Sequence, residues 1–171
     1  MDILLSLITS VLWAIFDVVR KKVVFFLDLK VIIFVIALAQ AVLFMSFLFF
    51  SEFNFIFKSY FLYGFGLLIL NIFSFYCFLK VLKTGEISTY IPMLSFTPLF
   101  SALYAQIILN EILVIKQHIG IFLIIIGALL MHSNNFQIKS LMSSPIIFLK
   151  NKNSYLIILV SLIWSLTPVL D

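Results

Sequence analysis

Charged side chains are scarce in this sequence. Asp, Glu, Lys and Arg together make up 11% of its 171 residues, whereas hydrophobic residues make up 64%. A water-soluble domain needs a polar surface and typically carries about 25% charged residues. The composition therefore excludes a soluble globular domain of this length.

Motifs of soluble-enzyme chemistry are also missing. The one cysteine, Cys77, lies in an apolar segment, so it cannot build a disulfide framework. The sequence has no glycine-rich phosphate loop, no metal-ligand spacing and no Ser/His/Asp arrangement. The basic residues behind the net charge of +4 are scattered in short polar stretches. We therefore expect no enzymatic activity, no cofactor, no bound metal and no nucleic-acid partner.

What the sequence has in abundance is long runs without charge. Each comes close to the roughly 20 apolar residues that cross a ~30 Å hydrocarbon core as a helix. Lipid offers the backbone no hydrogen-bond partners, so each segment must satisfy its own polar groups by becoming helical. The sequence thus predicts an all-α membrane protein, a five-helix transmembrane bundle with a partial sixth helix. The expected segments are 3–19, 31–51, 59–79, 87–110, 117–138 and 153–170.

Lysine and arginine are unequally divided among five connecting loops, which we place at 20–30, 51–59, 80–87, 110–116 and 133–153. The odd-numbered loops hold Arg20, Lys21, Lys22, Lys30, Lys80, Lys83, Lys139, Lys150 and Lys152, and the even-numbered loops hold Lys58 and Lys116. By the positive-inside rule, this bias predicts that the odd-numbered loops are cytoplasmic and the N-terminus lies outside.

A short repeat links the two ends of the sequence. The stretch SLIWSLTPVLD at 161–171 resembles SVLWAIFDVVR at 10–20, with Trp164 matching Trp13 at an offset of 151. Five spans followed by a restart of the first are typical of inverted-repeat transporters. We predict a five-helix repeat at 1–132, a polar linker at 133–153 and the first helix of a second, truncated repeat at 154–171. The full protein is then expected to have ten helices.

Polar side chains follow one face of the first segment. Ser6, Ser10, Trp13, Asp17 and Arg20 are three or four residues apart, which keeps them on one side of a helix. An intramembrane carboxylate should face protein or water. Two interpretations of Asp17 stay open: a role in a solute path together with Trp13, or an ion pair with Arg20 or the lysine beside it.

The fourth segment is small or polar on two faces, so we expect it to lie centrally in the bundle. Pro92 and Pro98 each remove a backbone donor, and kinked helices at membrane depth line a cavity or pack against protein. We predict a kinked, cavity-lining helix, with a simple packing kink as the alternative. The residues expected to contact solute on this helix are Ser95, Thr97, Tyr104 and Gln106.

Two further segments add candidate positions. In the third segment, Asn71 is expected either to contact solute or to form an interhelical hydrogen bond. In the fifth segment, Gly120 and Gly127 lie seven residues apart on one face, a spacing that allows close helix packing.

The order of these motifs resembles a known family, the EamA domain of the drug/metabolite transporter superfamily. The resemblance is carried by residues 78–131 and extends over residues 1–131, where Trp13 matches a tryptophan common in the family's first helix. Asn110 stands where the family usually has glycine. The matching features are Gly85–Glu86–Ile87–Ser88, Pro92, Ser95–Phe96–Thr97–Pro98, Leu109–Asn110–Glu111, Gln117, Gly120 and Gly127.

The resemblance implies a secondary, ATP-independent transporter of small metabolites such as amino acids or related compounds, or the N-terminal half of one. In such a fold, inverted five-helix repeats enclose a cavity lined by the first, third and fourth helices of each repeat. The family's usual topology places the N-terminus in the cytoplasm, opposite to the charge distribution. The implied partners are the lipid bilayer of a bacterial inner membrane, a small-molecule solute, and a second repeat or a homodimer partner.

Two alternatives of other classes remain open. The abrupt end within the sixth segment fits a non-transporting remnant or a structural membrane subunit. A half-size unit could also act as an antiparallel dimer exporter, although the unequal loop charges argue against dual topology.

Overall fold

A computed structural model of the chain describes residues 2–50, 57–132 and 152–170, and within these ranges the long elements are all α-helices. The helices are α1 (Asp2–Val23), α2 (Leu29–Phe50), α3 (Phe57–Thr84), α4 (Ile87–Tyr90), α5 (Thr97–Ile108), α6 (Ile115–His132), α7 (Lys152–Trp164) and α8 (Thr167–Leu170), with a 3-10 segment (Ile91–Phe96) between α4 and α5. The prediction of an all-α membrane bundle is confirmed.

Four helical stretches in the described part of the chain are long and apolar enough to cross a membrane: Leu29–Leu48, Tyr63–Thr84, Ile87–Ile108 and Lys152–Leu170. We call Ile87–Ile108 the fourth span and Lys152–Leu170 the sixth span. The α1 helix, which carries three basic residues in its last turn, is not among the four. The apolar part of α6, Ile115–Gly127, is shorter than these four stretches. That these two helices also cross the membrane remains a prediction.

Two connecting loops are shorter than the sequence predicted. The α1 helix continues to Val23, so that only 24–28 connects it to α2, and α3 continues to Thr84, which leaves Gly85 and Glu86 before α4. Both helices extend beyond the apolar segments predicted from the sequence, because lysine and arginine in the last turn of a helix interact favourably with its exposed carbonyls. Most of the predicted fifth loop lies outside the described residues.

A left-handed residue follows the end of the fourth span. Asn110 has a φ of 55°, a conformation that glycine adopts most readily and asparagine next. The N–H of the following residue, Glu111, turns back to the carbonyl of Ala105 at 3.3 Å. Asn110 therefore occupies a backbone position that favours glycine and asparagine over most other residues.

The chain divides into two compact units, Met1–Asn54 and Phe55–Asp171. The first contains α1 and α2. The turn between them is closed by helical hydrogen bonds at each end, from the Val24 N–H to the Arg20 carbonyl at 3.0 Å and from the Ile32 N–H to the Asp28 carbonyl at 3.1 Å. The repeat boundaries at 132 and 153 stay a prediction.

The second unit is built around the sixth span, which packs against α3, the 3-10 segment and α5. Lipid tails are as apolar as leucine, so close packing and hydrogen bonds must hold such helices together. Small side chains on the sixth span allow this approach, because Ser154, Ser161 and Ser165 are all buried. The largest fully buried side chains around them are Phe78, Leu79, Leu82, Met93 and Ile157.

Two contacts fix the direction of the sixth span relative to α3. The ring of Trp164 packs on the ring of Phe78, with centroids 5.3 Å apart, and the Asn71 amide bonds the Thr167 hydroxyl. From the first contact to the second, the residue number decreases along α3 and increases along the sixth span, so the two helices run antiparallel.

The C-terminal end of α3 and the N-terminal end of the sixth span therefore lie at the same end of this unit. These ends carry Lys80, Lys83 and Lys152, which were predicted to lie in two odd-numbered loops. The shared end agrees with that assignment, whereas its cytoplasmic location remains a prediction.

Candidate solute site

The fourth span is interrupted in its first half. A 3-10 segment with Pro92 in its first turn separates α4 from α5, and Pro98 is in the first turn of α5. Pro98 has no N–H to donate to the carbonyl of Leu94, which accepts the N–H of Thr97 instead. A 3-10 stretch within a longer helix often marks a hinge or a functional site.

Polar side chains surround this interruption. Ser95 lies in the 3-10 segment, and its hydroxyl donates to the Pro92 carbonyl. Ser95, Thr97, Tyr104 and Gln106 are all half-buried. Their contact with a solute stays a prediction.

Asn71 joins α3 to the sixth span. Its side-chain amide donates to the Leu67 carbonyl of its own helix at 3.0 Å and to the Thr167 hydroxyl at 3.3 Å. Both side chains are half-buried. The interhelical hydrogen bond that the sequence left as one of two alternatives is thus present, and its partner belongs to the sixth span.

The serines that connect the fourth and sixth spans were not predicted from the sequence. Ser101 donates to the Ser165 carbonyl at 3.2 Å, and Ser161 lies 3.5 Å from the Met93 carbonyl. A signal was available: Ser154, Ser161 and Ser165 are seven and four residues apart, which places them on one helix face. Small residues at such spacing indicate a close helix contact.

In the first unit, the Arg20 side chain contacts three neighbouring side chains of α1. Its Nη1 lies 2.9 Å from Oδ1 of Asp17, and its guanidinium carbon lies 4.0 Å from the ring centre of Phe16 and 5.1 Å from that of Trp13. The ion pair proposed for Asp17 is therefore present. Aromatic faces attract a cation, so the two rings add to the stabilisation of a guanidinium that is buried.

The predicted path residues fall in both units. Trp13 and Asp17 belong to the first unit, and their role in a solute path stays a prediction. The remainder, Asn71, Ser95, Thr97, Tyr104 and Gln106, belong to the second unit.

The α6 helix packs against the 3-10 segment. A methyl group added at Gly120 or Gly127 would meet nothing within 4 Å, so neither glycine marks a tight contact among the described atoms. Their predicted packing role stays a prediction. Within 2–50, 57–132 and 152–170, no group of three or more His, Cys, Asp or Glu side chains could hold a metal ion.

Apolar helices of membrane-spanning length, one of them interrupted and lined with polar groups, define a polytopic α-helical membrane protein. Residues 1–133 match the EamA-like transporter family, and the chain belongs to that family. Neither a curated protein nor a solved structure matches it.

Proposed function

We propose that this chain is a secondary transporter of small metabolites, such as amino acids or related compounds, or the N-terminal half of one. Transport would be independent of ATP and would proceed by rocking of repeats around a central site. The family supports transport in general, and inverted-repeat transporters commonly bind solute where helices are discontinuous.

The observation that carries the proposal is the Asn71–Thr167 hydrogen bond beside the interrupted fourth span. Polar groups within membrane spans are costly and are usually retained for function. An amide and a hydroxyl that bond each other across two helices can exchange that bond for bonds to a polar solute. Asn71 and Thr167 are half-buried, so part of each side chain is accessible to a solute.

The chemistry of this region favours recognition through hydrogen bonds. The described ionisable side chains at the helix ends of the second unit, Lys80, Lys83, Glu86, Glu111, Lys116 and Lys152, are exposed. The groups between the helices are hydroxyls, amides and aromatic rings. The proposed solute is thus bound mainly by uncharged donors and acceptors in this unit.

Uptake by purified protein tests the proposal. The full chain is reconstituted in liposomes preloaded with unlabelled amino acids, and entry of a 14C-labelled amino-acid mixture is followed without ATP. We expect saturable uptake, and a loss of about tenfold or more in Asn71→Leu, since the solute loses the amide that would hydrogen-bond it. Ser46→Ala is the control, because its hydroxyl donates to the Val42 carbonyl of its own helix at 2.8 Å.

Two results would contradict this proposal. Uptake that is unchanged in Asn71→Leu would show that the path does not pass Asn71. Folded, reconstituted protein that takes up none of the probe would favour a non-transporting membrane subunit.

A further inference from the structure

Pro98 changes the hydrogen bonding of the residues before it. In a continuous α-helix the N–H of Thr97 would bond the Met93 carbonyl, four residues back. Because Pro98 cannot serve Leu94, the Thr97 N–H bonds Leu94 instead. The Met93 carbonyl has lost its α-helical donor and keeps only the poorer 3-10 geometry, in which the N–H three residues on faces it. The Ser161 hydroxyl of the sixth span lies 3.5 Å from the same carbonyl.

A related displacement occurs beside Pro168 in the sixth span. The Val169 N–H would bond the Ser165 carbonyl in a continuous helix, but it bonds the Leu166 carbonyl at 3.1 Å. The Ser165 carbonyl is thereby released from its helical donor. The Ser101 hydroxyl of the fourth span donates to it at 3.2 Å.

The two interruptions are therefore reciprocal. Each helix has, near a proline, a carbonyl that lacks its α-helical donor, and a serine hydroxyl of the other helix lies within 3.5 Å of that carbonyl. Lipid cannot supply a substitute donor, so a change in either interruption alters the bonding of the other. The Ser161 hydroxyl has two possible acceptors, because it can donate its one hydrogen bond to the Met93 carbonyl or to the Ile157 carbonyl of its own helix at 3.0 Å.

We propose that Ser101 and Ser161 are positioning residues that join the interruptions of the fourth and sixth spans into one two-helix hinge. Bending of the fourth span at Met93–Pro98 is then transmitted to the sixth span at Ser165–Pro168, and the reverse. The consequence for transport rests on the proposed function: the hinge would move Thr97 and Thr167 together. The coupling itself needs no solute and can be tested without one.

Amide hydrogen exchange of the full chain in lipid nanodiscs tests the coupling. Ser101→Ala removes the donor to the sixth span, and Ser161→Ala removes the donor to the fourth. Loss of a hydrogen bond of ordinary strength should speed exchange at the affected turn about fivefold. We expect faster exchange in both interruptions, 93–98 and 165–170, in each variant. Ser46→Ala should change neither.

A merely local capping role predicts a different pattern, in which Ser101→Ala affects only 165–170 and Ser161→Ala affects only 93–98. That pattern would overturn the proposal. Failure of the uptake experiment would leave this readout unaffected, so the two proposals can fail independently.

Pro98→Ala gives a second, sharper test. The new N–H at position 98 can bond Leu94, which returns the Thr97 N–H to Met93 and displaces the Ser161 hydroxyl. We expect Pro98→Ala to slow exchange at 93–98, to speed it at 165–170, and to abolish any further effect of Ser161→Ala. Unchanged exchange at 165–170 would overturn the proposal even if both serine variants failed to fold.

Discussion

The indole of Trp164 packs on the ring of Phe78 with 5.3 Å between ring centroids and an angle of 55° between ring planes. Its counterpart in the sequence repeat, Trp13, is 53% exposed and contacts Phe16 and Arg20 of its own helix. The two matching tryptophans therefore have different surroundings. Trp164 holds the sixth span against α3, whereas Trp13 covers a guanidinium.

Replacing these tryptophans should have unequal effects. Trp164→Ala removes an aromatic side chain from a packed contact and is expected to lower the free energy of unfolding by about 3 kcal/mol. Trp13→Ala removes an exposed ring with one cation contact, and about 1 kcal/mol is expected. Thermal unfolding in detergent measures both. Equal losses would contradict the assignment of Trp164 to the helix interface.

The Asp17–Arg20 pair should be more sensitive to the loss of one partner than of both. Asp17→Leu leaves a buried guanidinium without its carboxylate, which should cost about 1–3 kcal/mol of stability. The double variant Asp17→Leu/Arg20→Leu removes both charges and should recover most of that loss. The same thermal assay compares the two. A double variant less stable than the single would mean that the guanidinium stabilises the unit through its contacts with Trp13 and Phe16 even without Asp17.

Asp17 can also be tested for a role in transport. Asp17→Asn keeps the shape of the side chain but removes its charge. If uptake falls while thermal stability is retained, the carboxylate contributes to the solute path or its coupling ion. Full uptake would restrict Asp17 to its pairing with Arg20.

Gly85 should tolerate no side chain. A Cβ at this position would overlap the ring of Tyr90, which is buried, and would lie 3.1 Å from the Val81 carbonyl. Gly85→Ala is therefore expected to destabilise the second unit by about 1–3 kcal/mol through overpacking. Gly66→Ala is the matched control. Nothing lies within 4 Å of a Cβ there, and alanine is the better helix former, so stability should be unchanged or higher.

Asn110 provides a test of backbone conformation. Its positive φ predicts that Asn110→Gly will be neutral or stabilising, because glycine has no Cβ to strain this conformation. Asn110→Ala should cost about 1 kcal/mol, because alanine keeps the Cβ but loses the polar side chain that can hydrogen-bond locally. Urea or thermal unfolding in mild detergent would rank the three proteins. Alanine ranking above glycine would show that the left-handed turn is not populated in solution.

Local patterns in the sequence were good guides to local structure. Charge-free runs located the second, third, fourth and sixth segments, because a membrane span is set by length and polarity alone. The Asp17–Arg20 pair followed from a spacing of three residues on one helix. Helix ends were less predictable, since basic residues extended α1 and α3 beyond their apolar segments.

Contacts between distant helices could not be derived in the same way. Asn71 and Thr167 are 96 residues apart, and Ser101 and the Ser165 carbonyl are 64 apart. Helical periodicity tells which residues share a face, but not which helix that face meets. The proline positions in the fourth segment drew attention to Ser95 and Thr97, whereas the donors on the sixth span depended on knowing its neighbours.

The order of synthesis gives the serine–carbonyl contacts a consequence for biogenesis. The Met93 carbonyl leaves the ribosome 68 residues ahead of Ser161. At about 5–20 residues per second, that interval lasts roughly 3–14 s. During this time the Met93 carbonyl of the fourth span has no contact with the Ser161 hydroxyl. Membrane insertion machinery that shelters polar backbone would have to protect the fourth span until the sixth span is made. Slowing translation between the two segments should therefore make the nascent protein more dependent on that machinery.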